Sequence, residues 1–281
     1  MEFFRPATWS DALAIKAGQP AALPLAGGTD VMVDINFDRA RPAALLDLTG
    51  IGELADWSAS DGLIRLGAAV PYARVISELG GRLPGLALAS RTVGSPQIRN
   101  RGTIGGNLGS ASPAGDAHPP LLACDTVVLA ESLRGTRRIP IREFYTGVKQ
   151  SALAADELIA AIEVPAAGGP QQFAKVGVRN AMVIAVASFA LALHPGRGRV
   201  ATGLGSAAPT PRPAAQGLWE SRGPLPGTAV ARFAELVAQA AAPIDDVRGS
   251  AAYRRHALAV LARRTLAWAW RSFQREDSLC G

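Results

Sequence analysis

The sequence predicts an α+β fold, with two N-terminal lobes of alternating strands and helices and a C-terminal antiparallel sheet followed by helices. Apolar runs bounded by turn residues recur through the first 166 residues. The segment Ala-Ala-Gly-Gly-Pro at 166–170 has the composition of a linker. Beyond it, three strand-like runs precede two runs with helical spacing. We therefore expect three units, at 1–56, 57–166 and 171–281.

In the first lobe, a helix is predicted from Asp11, with Ser10 as its N-cap. Residues 23–26 form a predicted buried strand, and residues 30–36 a helix or an extended run. The first lobe ends with an apolar strand at 43–48 and a turn at 51–54.

The second lobe contains predicted strands and helices in roughly equal number. Its strands are predicted at 63–68, 126–131, 137–141 and 158–164, with the middle two joined as a hairpin across Leu133-Arg134-Gly135. Its helices are predicted at 71–79, 86–93 and 119–124, the first opening with Pro71.

In the C-terminal part, the predicted strands come first and the predicted helices follow them. Its strands are predicted at 173–178, 186–193 and 199–204, and its helices at 228–242 and 250–273, with proline-rich breaks at 209–213 and 224–226. We expect Trp268 and Trp270 to be core or interface residues.

A segment near the third of these strands resembles a nucleotide-binding fingerprint. Residues 203–208 read Gly-Leu-Gly-Ser-Ala-Ala, which fits the dinucleotide pattern G-x-G-x-x-A. That pattern requires a helix that opens at once toward the pyrophosphate. Here Pro-Thr-Pro-Arg-Pro follows and cannot continue a helix. We therefore reject a Rossmann site.

Composition excludes several classes of function. The chain has 281 residues, a net charge of +6 and two cysteines. An iron–sulfur cluster needs about four thiolates, so this chain alone holds none. The arginines are scattered rather than gathered in a basic run, which disfavours nucleic-acid binding. No apolar run is long enough for a membrane span and the N-terminus lacks a signal-peptide pattern, so we expect a cytoplasmic protein.

Two glycine-rich stretches carry the functional signal. The first reads Leu-Pro-Leu-Ala-Gly-Gly-Thr-Asp-Val at 23–31, and the second spans 99–116 and holds five glycines. Glycine lets the backbone approach a ligand closely and aim successive N–H groups at phosphate oxygens. The alternative is a glycine-rich turn between two strands.

Together the two stretches resemble the flavoprotein (medium) subunits of the molybdenum hydroxylases, the xanthine dehydrogenase and carbon monoxide dehydrogenase family. The hallmarks of that family are Ala-Gly-Gly-Thr-Asp, found here at 26–30, and R-N-x-G-T-I-G-G-N-L followed by A-S-P-A-G-D, found here at 99–116. Residues 244–254 and 175–181 resemble its C-terminal domain. The resemblance implies non-covalent FAD between two N-terminal lobes of the vanillyl-alcohol-oxidase (PCMH) type, with a CO dehydrogenase flavoprotein-like C-terminal domain.

The resemblance also implies a set of cofactor-binding residues. The first loop, residues 24–31, would wrap the pyrophosphate and ribityl region, and the second loop, residues 103–107, would close over the diphosphate. Asp116 would accept hydrogen bonds from cofactor hydroxyls, whereas Ile159 and Lys175 would lie near the isoalloxazine. No catalytic residue or metal ligand is implied for this chain. The set is Pro24, Leu25, Ala26, Gly27, Gly28, Thr29, Asp30, Val31, Thr103, Ile104, Gly105, Gly106, Asn107, Asp116, Ile159 and Lys175.

The function that this resemblance implies is that of an FAD-dependent oxidoreductase subunit whose complete activity requires partner subunits. A small subunit with [2Fe–2S] clusters would pass electrons from a large molybdopterin subunit to FAD, and FAD would pass them to NAD or oxygen. The holoenzyme would hydroxylate a purine such as xanthine, another N-heterocycle or an aldehyde. One alternative is a stand-alone FAD-dependent reductase or oxidase on the same fold. Another is a basic nucleic-acid-binding protein.

Overall fold

The computed structural model describes residues 1–208, 210–211 and 223–279, with side chains as far as residue 275. In the predicted proline-rich break at 209–213, residues 209, 212 and 213 lie outside the described residues, as does Cys280. Among the described residues, no helix combines the length and the apolar character needed to cross a membrane.

The first lobe is a small parallel sheet in the order β1-β3-β2. Its strands are β1 (Glu2–Phe4), β2 (Leu23–Leu25) and β3 (Ala44–Asp47), and its helices are α1 (Trp9–Gly18) and α2 (Val31–Asn36). The predicted N-cap Ser10 is wrong, because the side chain of Thr8 accepts the N–H of Asp11 and the helix begins two residues earlier than predicted. Residues 31–36 are helical, which resolves the open choice between helix and extended run.

The second lobe is built on an antiparallel sheet in the order β4-β5-β10-β6-β7. These strands are β4 (Trp57–Ser60), β5 (Leu63–Gly67), β6 (Val127–Ser132), β7 (Gly135–Pro140) and β10 (Leu158–Pro165). The predicted hairpin is confirmed, since β6 and β7 pair across the turn that follows Ser132. A separate short ribbon joins β8 (Tyr145–Gly147) to β9 (Gln150–Ser151).

Helices accompany this sheet, and all but the third contribute residues to its core. They are α3 (Tyr72–Glu78), α4 (Pro84–Arg91), α5 (Pro96–Arg101), α6 (Ile104–Ser110), α7 (His118–Ala123) and α8 (Ile141–Phe144). Helices α5 and α6 occupy much of the second glycine-rich stretch, so the alternative of a turn between strands is wrong for it. Cys124 is buried in the core of this lobe, where it packs as a small apolar side chain.

The C-terminal part is the predicted antiparallel meander with helices. It consists of β11 (Gln171–Val176), β12 (Ala187–His194), β13 (Arg199–Gly205), α9 (Gly227–Ala240) and α10 (Ala251–Leu279). One face of the sheet packs on these two helices, whose core includes Trp270, whereas Trp268 is exposed. The other face contributes Phe173 to the core of the second lobe. The sheet therefore lies between its own helices and the second lobe, close to the ends of α4 and α7.

The rejected fingerprint at 203–208 has a packing role. Strand β13 crosses α7 so closely that a Cβ on Gly203 would lie 2.1 Å from the carbonyl oxygen of Pro119. A Cβ on Gly205 would lie 2.3 Å from Oγ of Ser188. These glycines allow the sheet to approach the helix.

Candidate functional site

A cavity of about 630 Å³ opens where the two N-terminal lobes and the C-terminal part meet. This is a typical volume for a cofactor pocket. Residues of the first loop, of the 102–116 segment, of β10 and of the segment 182–184 line it. All the predicted cofactor-binding residues line it except Leu25, Ile104 and Lys175. The structure thus brings the two glycine-rich stretches to one site.

The first loop leaves the sheet at the carboxyl end of β2, the edge at which parallel sheets commonly bind ligands. The carbonyl of Leu25 still accepts the N–H of Leu48, at 2.8 Å. Gly28 then turns the chain with φ +75°, a conformation that favours glycine. In the part of the chain that the structure describes, the N–H groups of residues 27–30 donate to no protein acceptor. The first loop therefore presents successive free donors to the cavity.

The two stretches touch each other directly. A Cβ on Gly27 would lie 1.9 Å from the carbonyl oxygen of Arg101, so only glycine fits there. A Cβ on Gly102 would lie 3.4 Å from Oγ1 of Thr29. The first loop therefore rests on the end of α5, which sets the spacing of the two cavity walls.

The second stretch uses its N–H groups differently. The side chain of Thr103 caps α6 and accepts the N–H of Gly106 at 3.0 Å. The N–H of Ile104 donates to the carbonyl of Val70 at 3.1 Å, and that of Gly105 to the carbonyl of Ala68 at 2.9 Å. The side chain of Ile104 is fully buried in the core. Residues 104–106 therefore form a close-packed wall rather than a set of free donors.

Asp116 lies in the wall and is bound by Lys175 from the C-terminal sheet. Nζ of Lys175 donates to Oδ2 of Asp116 at 2.6 Å, and both side chains are about nine-tenths buried. Burial raises the pKa of Asp116 to about 6, and the Lys175 ammonium opposes that rise. The other carboxylate oxygen, Oδ1, is buried and has no partner. Asp116 is therefore poised to accept a hydrogen bond from a ligand donor.

Two further buried polar atoms belong to cavity-lining residues and have no partner. They are Oδ1 of Asn107 and the hydroxyl of Tyr72. Burial raises the pKa of Tyr72 well above its usual value, and the charges of Asp116 and Asp30 raise it further. The hydroxyl is therefore protonated at physiological pH and remains a donor. Since buried polar groups are normally satisfied, these atoms indicate where a polar ligand binds.

Tyr72, Lys16 and the segment 182–184 also line the cavity but were not predicted from the sequence. Lys16 lines the cavity while its Nζ donates to the carbonyls of Pro20 and Ala22, at 2.7 and 2.9 Å. None of these residues belongs to a glycine-rich motif. The sequence marks Lys16 only as a polar residue within an apolar helix. It marks Tyr72 only as a residue with a polar group directly after a proline.

His118 is a structural residue. Its Nε2 bonds the carbonyl of Asn107 at 3.1 Å, and its ring packs on Tyr145 with centroids 4.7 Å apart. Burial lowers the pKa of His118 to about 4, so the ring is neutral at pH 7. His118 therefore has a structural role at the start of α7.

Comparisons with known proteins identify two domains in the chain. Residues 1–167 match the FAD binding domain in molybdopterin dehydrogenase, and residues 172–269 match the CO dehydrogenase flavoprotein C-terminal domain. The putative xanthine dehydrogenase FAD-binding subunit XdhB of Escherichia coli K12 is 30% identical over 275 residues, 94% of each chain. The 6-hydroxypseudooxynicotine dehydrogenase complex subunit alpha of Paenarthrobacter nicotinovorans is 33% identical over 253 residues, covering 86% of this chain and 85% of that protein.

A solved structure of carbon monoxide dehydrogenase from Hydrogenophaga pseudoflava contains a chain that matches with a TM-score of 0.89 and 27% identity, covering 97% of this chain and 98% of that one. The α+β fold class, with an FAD-binding domain and a CO dehydrogenase flavoprotein-like C-terminal domain, is thereby confirmed. The chain belongs to the family of FAD-binding medium subunits of the molybdenum hydroxylases, the xanthine dehydrogenase and carbon monoxide dehydrogenase type.

Proposed function

We propose that this chain is the FAD-binding electron-transfer subunit of a heterotrimeric-type molybdenum hydroxylase. The observation that carries the proposal is the row of free N–H groups at residues 27–30, which lies at the edge of a cavity with few charged side chains. A diphosphate needs such donors, and backbone groups supply them without a cluster of lysines. We also propose the division of the chain into units at 1–56, 57–166 and 171–281.

The cavity residues fit FAD. The free N–H groups of 27–30 would hold the diphosphate, and the unpartnered Oδ1 atoms of Asn107 and Asp116 would accept from cofactor hydroxyl or amide groups. Ile159 lines the cavity with an almost wholly buried side chain and would pack on the flavin. Leu25 and Ile104 would support the two walls from behind. When bound, FAD supplies the redox chemistry, and the chain supplies its position and electrostatics.

Partner subunits are part of the proposal. The chain has too few cysteines to hold an iron–sulfur cluster alone, so clusters that feed electrons to its flavin would belong to another subunit. We propose a small subunit with [2Fe–2S] clusters and a large molybdopterin subunit as the source, in the cytoplasm, with NAD or oxygen as the acceptor. The names of the relatives point to xanthine and to 6-hydroxypseudooxynicotine. A purine such as xanthine, another N-heterocycle or an aldehyde is the proposed substrate class.

The first experiment tests the diphosphate cradle. The purified chain, stripped of flavin, is titrated with FAD, FMN and riboflavin, and binding is followed by flavin fluorescence. We expect FAD to bind much more tightly than FMN and riboflavin to bind weakly, because only FAD carries the diphosphate. Equal affinity for all three, or no flavin binding, would contradict the proposal.

The second experiment separates the electron-transfer subunit from the stand-alone flavoenzyme. The chain is prepared alone and co-expressed with the products of neighbouring genes, and flavin absorbance is followed after substrate addition. We expect bleaching of the flavin only in the complex. Substrate-dependent bleaching in the isolated chain would favour the stand-alone alternative instead.

A further inference from the structure

The ammonium group of Lys175 has used all of its hydrogen-bond donors within the protein. A lysine ammonium has three N–H donors. Nζ of Lys175 donates to Oδ2 of Asp116 at 2.6 Å, to the carbonyl of Thr92 at 2.9 Å and to the carbonyl of Val183 at 3.1 Å. Lys175 does not line the cavity, although the family resemblance implies that it lies near the isoalloxazine. A direct bond to the cofactor would therefore require one of these bonds to break.

We propose that Lys175 is a positioning residue, which acts on the cofactor through Asp116. Its ammonium group holds Asp116 as an oriented carboxylate whose free oxygen receives the cofactor. The inference rests on the proposed function, because it assumes that FAD occupies the cavity.

The three acceptors of Lys175 belong to three walls of the cavity. Thr92 follows α4 and precedes Val93 and Gly94, which line the cavity. Val183 lines the cavity itself and belongs to the segment 182–184, whose Met182 and Ile184 side chains are exposed. One buried cation on β11 therefore connects the C-terminal sheet, the end of α4 and the carboxylate of Asp116.

The two oxygens of Asp116 have different roles. Oδ2 takes the Lys175 bond and a long contact of 3.5 Å from the hydroxyl of Thr92. Oδ1 is buried without a partner. A buried carboxylate oxygen that lacks a donor is costly, and a ligand O–H or N–H removes that cost. Lys175 thus fixes one oxygen and leaves the other for the cofactor.

The groups around Asp116 leave Lys175 as its cationic partner. Lys175 faces Asp116 from β11, and the neutral side chain of Thr92 faces it from the end of α4. The buried hydroxyl of Tyr72 faces it from α3, and the raised pKa of that hydroxyl keeps it neutral. His118, two residues along the chain on α7, is neutral because burial lowers its pKa to about 4. Asp30, on the first loop, raises the pKa of Tyr72 as Asp116 does, and it adds negative charge to the site. Removal of Lys175 therefore takes away the cation that keeps Asp116 ionised.

The consequence is a pH dependence of FAD affinity. Burial raises the pKa of Asp116 to about 6, and Lys175 limits that rise. The ionised carboxylate is the better acceptor for cofactor donors, so FAD affinity is expected to fall as the pH is lowered through about 6. In Lys175→Met, burial acts unopposed, and the pH at which affinity falls moves upward.

The experiment measures the dissociation constant of FAD from about pH 5 to about pH 8.5, by flavin fluorescence, for five forms of the full chain. They are the wild type, Lys175→Met, Asp116→Asn, the double variant and Lys149→Met. Lys149 is the matched control, because it is an exposed lysine that lies 3.5 Å from Asp34 and does not line the cavity.

We expect the midpoint of Lys175→Met to move upward by about one pH unit or more, so that the affinity at pH 7 falls about twofold for a shift of one unit and about tenfold for a shift of two, and recovers at high pH. Asp116→Asn should bind FAD more weakly and lose the pH dependence. The double variant should match Asp116→Asn within about twofold at every pH, because Lys175 then has no carboxylate to act on. Lys149→Met should keep the wild-type profile.

A direct role of Lys175 gives a different result. If Lys175→Met weakens FAD binding by the same factor at every pH, or if the double variant binds much more weakly than Asp116→Asn, the lysine contacts the cofactor and the inference is wrong. The double variant leaves no unpaired buried charge, so its comparison with Asp116→Asn decides the matter even if Lys175→Met does not fold. Failure of the wild type to bind FAD would instead overturn the proposed function, and the inference with it.

Discussion

The two Gly-Gly segments of this chain have similar sequences and opposite physical roles. In the first, Gly27 and Gly28 belong to a loop whose N–H groups have no protein acceptor in the described part of the chain. In the second, Gly105 and Gly106 open a helix, and their N–H groups donate to the carbonyl of Ala68 and to the side chain of Thr103. The first segment leaves donors free at the cavity, whereas the second forms a close-packed part of the cavity wall.

The difference shows that glycine serves two separate needs in one site. Gly28 requires a positive φ, which bends the loop around the cavity. Gly105 requires the absence of a side chain, because a Cβ there would lie 2.5 Å from Cβ of Ala68 and 2.6 Å from its carbonyl oxygen. Substitutions in the first loop should therefore act on ligand affinity, and those in α6 on the free energy of unfolding.

The largest expected effect is that of Gly105→Ala. The added methyl group has no room against Ala68, so we expect the free energy of unfolding to fall by about 3 kcal/mol, as for overpacked cores. Chemical denaturation of the flavin-free chain measures it. Gly109→Ala is the control in the same helix, since its nearest new contact is Ile159 Cδ1 at 4.0 Å; it should keep or raise stability. Similar losses in both variants would argue against the close-packed wall.

The next effect is that of Gly28→Ala. Its Cβ has room, at 3.4 Å from Cγ of Met32, but φ +75° strains any residue with a side chain. We expect a loss of about 1–2 kcal/mol in the free energy of unfolding and a fall in FAD affinity of about tenfold, because the strain distorts the row of free N–H groups.

Gly62→Ala controls for the strain alone. It has φ +73°, has nothing within 4 Å of the added Cβ and lies in the turn between β4 and β5. It should lose similar stability and keep the affinity of the wild type for FAD. A weaker FAD affinity in both variants would contradict a specific role for the first loop.

The smallest effect is that of Thr103→Ala, which removes the cap of α6. The N–H of Gly106 loses its acceptor, so we expect the free energy of unfolding to fall by about 1 kcal/mol, with FAD affinity changed less than about threefold. Thr103→Ser should restore the stability because it keeps the hydroxyl. A large loss of FAD affinity with unchanged stability would instead make the second segment a ligand cradle like the first.

The sequence allowed most of the strands to be located, because β5, β6, β10 and β12 are apolar runs bounded by turn residues. It did not allow β1 to be located, since three residues give no periodicity. The helix α6 was missed because three of its seven residues are glycines, which have low helical propensity, and α5 was missed because it is only six residues long. Both helices form because a side chain caps each N-terminus, Ser95 for α5 and Thr103 for α6. In α6, contacts with Ala68 also offset the low helical propensity of its glycines.

The sequence by itself determined the family of this chain and the two stretches that meet at its cavity, because both motifs are written in consecutive residues. Only the tertiary structure decided which N–H groups remain free and which acceptors Lys175 reaches. Those properties depend on residues far apart along the chain, as Ala68 opposite Gly105 and Asp116 opposite Lys175 show. Hydrogen-bond donors are limited in number, and folding decides which of them the protein uses and which it leaves for a ligand.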